Sequence, residues 1–381
     1  MRACHVALAS IFMYSVVACV TEHAPLDTAD SGPHGGPAKP GPEDVTSDGG
    51  DPSKGDIEAP GQAPLNVFYV IHLHLGNDRY PYESKQMQEL NATKAKNMLA
   101  IVEAIKGIAD KHGLKIAWQP TVGPAKGFCV HQGGDHIFKS LLADGHGIGI
   151  HAHDDDDLEP TYSALTGECG LEPSQITTAS GYQAFLGKRS GGERTAAFTE
   201  AVKDISSWGI HVGTSNLAPD SDGDHEMAPI CTTTWGDNTE SWRMTDNLLL
   251  PWKPDVANAI PCDHDAGGIF VMVDHSGPEW MVTEAGKGNV VTHAHFDQLR
   301  VHFDATLEVM AAGTEGRVAA WGFVTHISEF TMNDQAEGPP DQGALDALDA
   351  FLSYLDTKRD QGLITYGLPS AIAREAYPDV F

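Results

Sequence analysis

The chain has 381 residues, with 24 Lys and Arg against 53 Asp and Glu, for a formal charge of −29 with neutral histidines. That length accommodates one large α/β domain or two ordinary ones, and 41% hydrophobic residues mark a chain that is globular in bulk. The acidic balance argues against nucleic acid or an anionic lipid surface as a partner, because both require clustered Lys and Arg.

Residues 1–18 begin with one basic residue (Arg2), run apolar from Val6, and reach Cys19 through Val16-Val17-Ala18. A basic start, a short apolar run and small residues read as a secretory signal, too short to span a bilayer comfortably. The ending resembles a bacterial lipobox, which makes Cys19 the candidate lipidation site. The expected location is then the bacterial cell envelope, with membrane contact through that N-terminal lipid only. An ordinary signal peptide with a cysteine at its cleavage site is the alternative. Residues 19–64 are rich in Pro, Gly, Asp, Ser and Thr. They cannot bury enough surface to offset chain entropy, so a disordered acidic tether is expected.

From residue 65 the pattern changes. NVFYVIHLH (66–74) has the β-branched and aromatic content of a buried parallel strand, and a helix is expected from about Ser84 to His112. Strands follow at 114–120, 146–153, 175–181, 210–218, 268–275 and 318–330, with a further short strand after Gly362. Helices are expected at 136–145, 195–209, 296–313 and 344–360, and at the C-terminus. The third strand is expected to end in an acidic loop, Asp154–Asp157, and 219–267 reads as a long insertion. Seven or so strand–helix repeats without a glycine fingerprint favour an α/β barrel of the (β/α)7 type, a single large domain over 65–381. A doubly wound open sheet is the alternative.

Once Cys4 leaves with the signal and Cys19 takes lipid, Cys129, Cys169, Cys231 and Cys262 remain. An even number in an exported domain suggests two disulfides. Cys129–Cys169 and Cys231–Cys262 are favoured, since each pair sits within one loop-rich region. None has CxxC spacing, so thiolate metal sites are not expected.

Chemistry in α/β barrels sits where strands end, and here strand ends carry histidine. Strand one ends His72-Leu73-His74 with Asp78 beyond; strand three ends His151-Ala152-His153 with Asp155 beyond. The sixth ends Asp274-His275 and the seventh Thr325-His326. On a strand, residues i and i+2 face one side, so a His-x-His pair can reach one ion, and imidazoles with a carboxylate suit hydrolysis by a divalent metal. Any one of these histidines taken alone reads as a hydrogen-bonded rim or core residue. HAHFD (293–297) looks like a metallo-β-lactamase motif, but the motif's last histidine is Gln298 here, and histidines capping a helix are the alternative.

The order of these motifs resembles the polysaccharide deacetylase (NodB-like) family. Asp144-Gly145-His146-Gly147-Ile148-Gly149-Ile150-His151 is similar to the family's GHEIGxH segment. Trp321-Gly322-Phe323-Val324-Thr325-His326 is similar to the late strand that carries the general acid, and Asp274 to Trp280 to the Asp…Trp strand between them. The chain departs from the family at HLHLGND, where two adjacent aspartates are usual; that ending looks more like the family-57 and family-38 glycoside hydrolases. The resemblance implies zinc or another divalent metal at His74, His151 and either His153 or Asp155. It further implies a base at His72 or Asp78, an acid at His326, a supporting role for Asp274, and substrate contact at Trp280. Trp235, Trp242 and Trp252 would either line a sugar subsite or form the insertion's own core. The expected function is metal-dependent hydrolysis of a carbohydrate or peptidoglycan-like substrate. The alternatives are a metal-independent glycoside hydrolase using Asp274, Glu279 and Glu329, and a degenerate barrel that only binds glycan.

Overall fold

The computed structural model describes residues 63–73, 91–152, 155–181, 192–214, 250–256, 260–263, 268–273, 290–311, 316–331 and 338–381. Cys19 and residues 20–62 lie outside this set, as do His74, Asp78, His153, Cys231, Asp274, Glu279 and Trp280.

β1 (Leu65–Leu73) is buried along all nine residues, as a near-continuous apolar run requires when both faces of a sheet are covered. It is the hub of the sheet. β2 (Ile116–Pro120) pairs with it on one side and leads to β3 (Gly147–His151), β4 (Ile176–Ser180), β5 (Val212–Gly213) and β8 (Val271–Met272), while β9 (Ala320–His326) and β10 (Ile364–Tyr366) also pair with β1. Every pairing in this sheet is parallel. The remaining two strands, β6 (Pro254–Asp255) and β7 (Ile260–Asp263), form an antiparallel pair in the expected insertion.

The sheet curls, and period-2 alternation separates its faces. Phe68 and Val70 of β1 join Ala117, Val212, Val271, Ala320 and Val324 in an inner apolar cluster. The alternate residues Val67, Tyr69 and Ile71 belong to the outer core shared with the helices. This is the α/β barrel architecture expected from the strand–helix alternation.

Eight helices occur among the described residues: α1 (Ala92–Lys111), α2 (Val122–Gln132), α3 (Ile137–Ala143), α4 (Asp155–Ser163), α5 (Gly192–Ser207), α6 (His293–Ala311), α7 (Gln342–Asp360) and α8 (Pro369–Ala376). Caps set two of their starts: the Asn91 side chain accepts from the Lys94 N–H and the Asp341 side chain from the Ala344 N–H, both at 2.9 Å. α1 buries Met98, Ile101, Val102 and Ile105 at helical spacing. It is pinned to α7 by His112, whose ring nitrogens meet Asp356 at 2.6 Å and Asp349 at 2.8 Å. α8 adds Ile372 and Ala373 to the inner cluster, beside the starts of the strands, where Leu368 fills the space left by Gly147.

Two expectations are corrected. The acidic segment after β3 is helical from Asp155 onward, not a loop; aspartates suit the positive end of a helix dipole. α2 was not expected at all. Its Gly and Pro content hides it, and Pro124 is tolerated because it stands in the first turn.

Candidate active site

Parallel register delivers the polar residues to the end of the sheet where strands finish. His72 is the register partner of both Gln119 on β2 and His326 on β9, and His151 is the partner of Ser180 on β4. His72, His151 and His326 are 3%, 4% and 6% exposed, and Ser180 is fully buried. The curl closes the remaining distance: the His72 and His151 rings stack at 3.7 Å between centroids, and His326 meets His72 edge-on at 5.1 Å.

These side chains form one continuous hydrogen-bonded row. His151 Nδ1 is 2.8 Å from Ser180 Oγ, which is 3.2 Å from His72 Nε2. His72 Nδ1 is 3.4 Å from His326 Nε2, and His326 Nδ1 is 3.4 Å from Glu329 Oε1. The second Glu329 oxygen accepts from the His326 backbone N–H at 3.0 Å, which fixes the carboxylate on the short 3-10 turn after β9.

Since a carboxylate accepts and does not donate, Glu329 gives the row a direction. With neutral rings, His326 donates from Nδ1 to Glu329, and its Nε2 accepts from His72 Nδ1. His72 Nε2 then accepts from the Ser180 hydroxyl, and Ser180 accepts from His151 Nδ1. This arrangement puts the His151 lone pair on Nε2.

The neighbouring layer is polar as well. Gln119, fully buried, donates through Nε2 to Thr178 Oγ1 at 2.9 Å and Thr214 Oγ1 at 2.8 Å. Gly149 makes room for that crossing, because a Cβ there would stand 2.2 Å from Thr178 Oγ1 and 3.0 Å from Gln119 Cγ.

Of the candidate residues, the structure brings His72, His151 and His326 together. Asp155 is the first residue of α4 and only its backbone is described; Cys262 lies on β7 under the same limit. Ser180 was not among the expected site residues, its only signal being its position at the end of β4. Glu329, expected as an alternative glycosidase carboxylate, turns both of its oxygens to His326.

Other histidines are placed elsewhere. His146, from the segment that resembles GHEIGxH, precedes β3 at the opposite end from His151; its Nδ1 accepts from the Ile116 N–H and its Nε2 is 3.3 Å from Asp110. Burial lowers its pKa to about 4 against the pull of Asp110. The HAHFD histidines open α6, where His295 Nδ1 accepts from the Thr292 N–H at 3.1 Å. Trp252, in the insertion, is 5% exposed and belongs to the outer core cluster. Cys129 and Cys169 are joined as a disulfide with Cα atoms 5.0 Å apart. Among the described residues, the group of metal-type donors close enough to share an ion is Cys129, His136 and Cys169, none of which stands at a strand end.

No protein-family profile matches the chain, and neither does any curated protein. Solved structures do. A Mycobacterium smegmatis protein named as a polysaccharide deacetylase aligns over 84% of this chain and 93% of its own, at 14% identity and a TM-score of 0.50. A Pseudomonas aeruginosa PAO1 protein, also named as a polysaccharide deacetylase, covers 85% and 97% at 12% identity and 0.49. An allantoinase covers 84% and 92% at 14% identity and 0.49. The first of these alignments shows that the chain has the NodB-like barrel fold of the polysaccharide deacetylases; at 14% identity the likeness is one of fold.

Proposed function

We propose that the chain is a metal-dependent hydrolase of a carbohydrate amide, removing an acyl group from an exported, peptidoglycan-like polysaccharide. The observation that carries this is the directed row from Glu329 to His151 at the strand ends of a deacetylase-type barrel. Export through residues 1–18 and a lipid on Cys19 belong to the same proposal.

The donor set fits a divalent ion, with zinc favoured by imidazoles and a carboxylate. A histidine ligand characteristically donates its second N–H to a neighbouring group, as His151 does to Ser180. His151 would bind through Nε2, with His74 and either His153 or Asp155 as the other ligands. When bound, the ion supplies Lewis-acid polarisation of the acyl carbonyl and of the attacking water.

The chain's own residues move the protons. Hydrolysis takes one proton from water and gives one to the leaving amine. Asp78 or His72 accepts the first. A proton received at His72 Nε2, the nitrogen that carries the lone pair, frees the Nδ1 hydrogen to pass to His326 Nε2, 3.4 Å away at the long edge of a hydrogen bond; that contact opens at small cost to let His326 give the proton to the amine. Glu329 holds the ring in place and stabilises its protonated form. Asp274 and Trp280 complete the proposed site as supporting carboxylate and sugar contact.

The test is acetate release from N-acetylated glucosamine oligomers. General acid catalysis contributes roughly 10²–10⁴ in rate, so His326→Ala should lose that much while retaining its cooperative melt. Unchanged hydrolysis in that variant would remove His326 from the mechanism.

A further inference from the structure

Cys129 lies near the end of α2, Cys169 follows the π-helical turn Ala164–Glu168, and His136 immediately precedes α3. The three are 5%, 4% and 1% exposed. The two sulfurs and a nitrogen of the His136 ring lie within 4.8 Å of one another. While the sulfurs are bonded to each other, the group has no thiolate to offer an ion.

The His136 ring is the part that a disulfide leaves unexplained. Its Nε2 is 2.9 Å from the Cys169 carbonyl oxygen. A carbonyl only accepts, so Nε2 carries the hydrogen and the lone pair falls on Nδ1. Nδ1 is buried and has no hydrogen-bond partner among the described residues, an arrangement rare enough in folded proteins to require a reason. An imidazole that donates one N–H to a backbone carbonyl and keeps its other nitrogen bare has the hydrogen bonding of metal-bound histidines.

We propose that Cys129, Cys169 and His136 form a second, sulfur-rich metal site that binds one copper(I) ion when the cysteines are reduced and is closed by the disulfide. Two thiolates select a soft ion. The group offers three donors, whereas structural zinc takes four. Opening the site takes two electrons and two protons from a dithiol reductant. One S–S bond breaks in the protein, one forms in the reductant, and two thiols appear. Binding the ion as a dithiolate then releases two protons to solvent.

The experiment uses the full chain, either oxidised or reduced with a dithiol and desalted under nitrogen, then titrated with copper(I) against bathocuproine disulfonate. The reduced chain should hold one equivalent more than the oxidised chain. Cys129→Ser should abolish the difference, while His136→Ala should weaken retention by at least the ~10-fold that even an outer-shell partner contributes. Equal copper in the two redox states, or undiminished retention in His136→Ala, would overturn the site. So would preference for zinc over copper(I), or a reduced chain that has lost its cooperative melt.

Discussion

The Ser180 hydroxyl stands between two imidazoles, so removing it acts on both. Ser180→Ala leaves His151 Nδ1 without its acceptor at 2.8 Å and His72 Nε2 without its donor at 3.2 Å. Supporting groups of this kind contribute about 10–100-fold to metal affinity or activity. That loss is expected for Ser180→Ala in a chain that still melts cooperatively, with substantial recovery in Ser180→Thr, which restores the hydroxyl. Equal activity in Ser180→Ala and wild type would show that the row does not support the chemistry. A different histidine governs acid stability. His146 stays neutral in the folded chain down to about pH 4 because it is buried. The unfolded chain protonates the same ring near 6.5, so stability falls as pH drops through that window and is regained above it. His136 and His302, also lowered by burial, act in the same sense. Burial would raise the Asp110 carboxyl, but Lys106 and Lys115 hold it near 2; it stays charged across the window and matters only in stronger acid. In urea unfolding between pH 7 and 5, each such ring contributes a slope of up to roughly 1.4 kcal/mol per pH unit. His146→Gln should flatten the slope by about one proton, and an unchanged slope would contradict the assignment.

Among the elements, β1 and β9 depend on a size match at one register position. Phe68 faces Gly322 across the pair, and a Cβ on Gly322 would stand 2.1 Å from the Phe68 ring. Overpacking of this kind typically costs about 1–3 kcal/mol. Gly322→Ala should destabilise the chain by that amount, and Phe68→Leu should recover part of it, so the two substitutions will be non-additive in denaturant melts. Strict additivity would mean that the ring and the glycine do not meet. The elements that build the sheet were legible because near-continuous apolar runs such as β1 and β9 suit strands covered on both faces of a parallel sheet. α2 was not, because VGPAKGFCVHQ carries little helical periodicity and is held by packing of Phe128 and Cys129. α4 was hidden by reading Asp154–Asp157 as charge alone and not as a favourable helix start.

For the molecule as a whole, sequence position on strands was enough to bring His72, His151 and His326 to one end of the barrel, because period 2 and parallel register fix where strand-end residues point. What joins them was not visible in the sequence. Ser180 and Glu329 matter through contacts across the curl and around a 3-10 turn, and neither residue type announces such a role. His136 was likewise invisible as a companion of Cys129 and Cys169, since only the packing of α2 against the turn after α4 brings the three together. The most direct measurement is elemental analysis of the full chain with its disulfide intact, comparing wild type with His151→Ala. We expect close to one zinc or other transition metal per chain, lost in the variant without loss of the cooperative melt. Absence of metal from both proteins after reconstitution with zinc would contradict metal-dependent hydrolysis at the strand-end histidines.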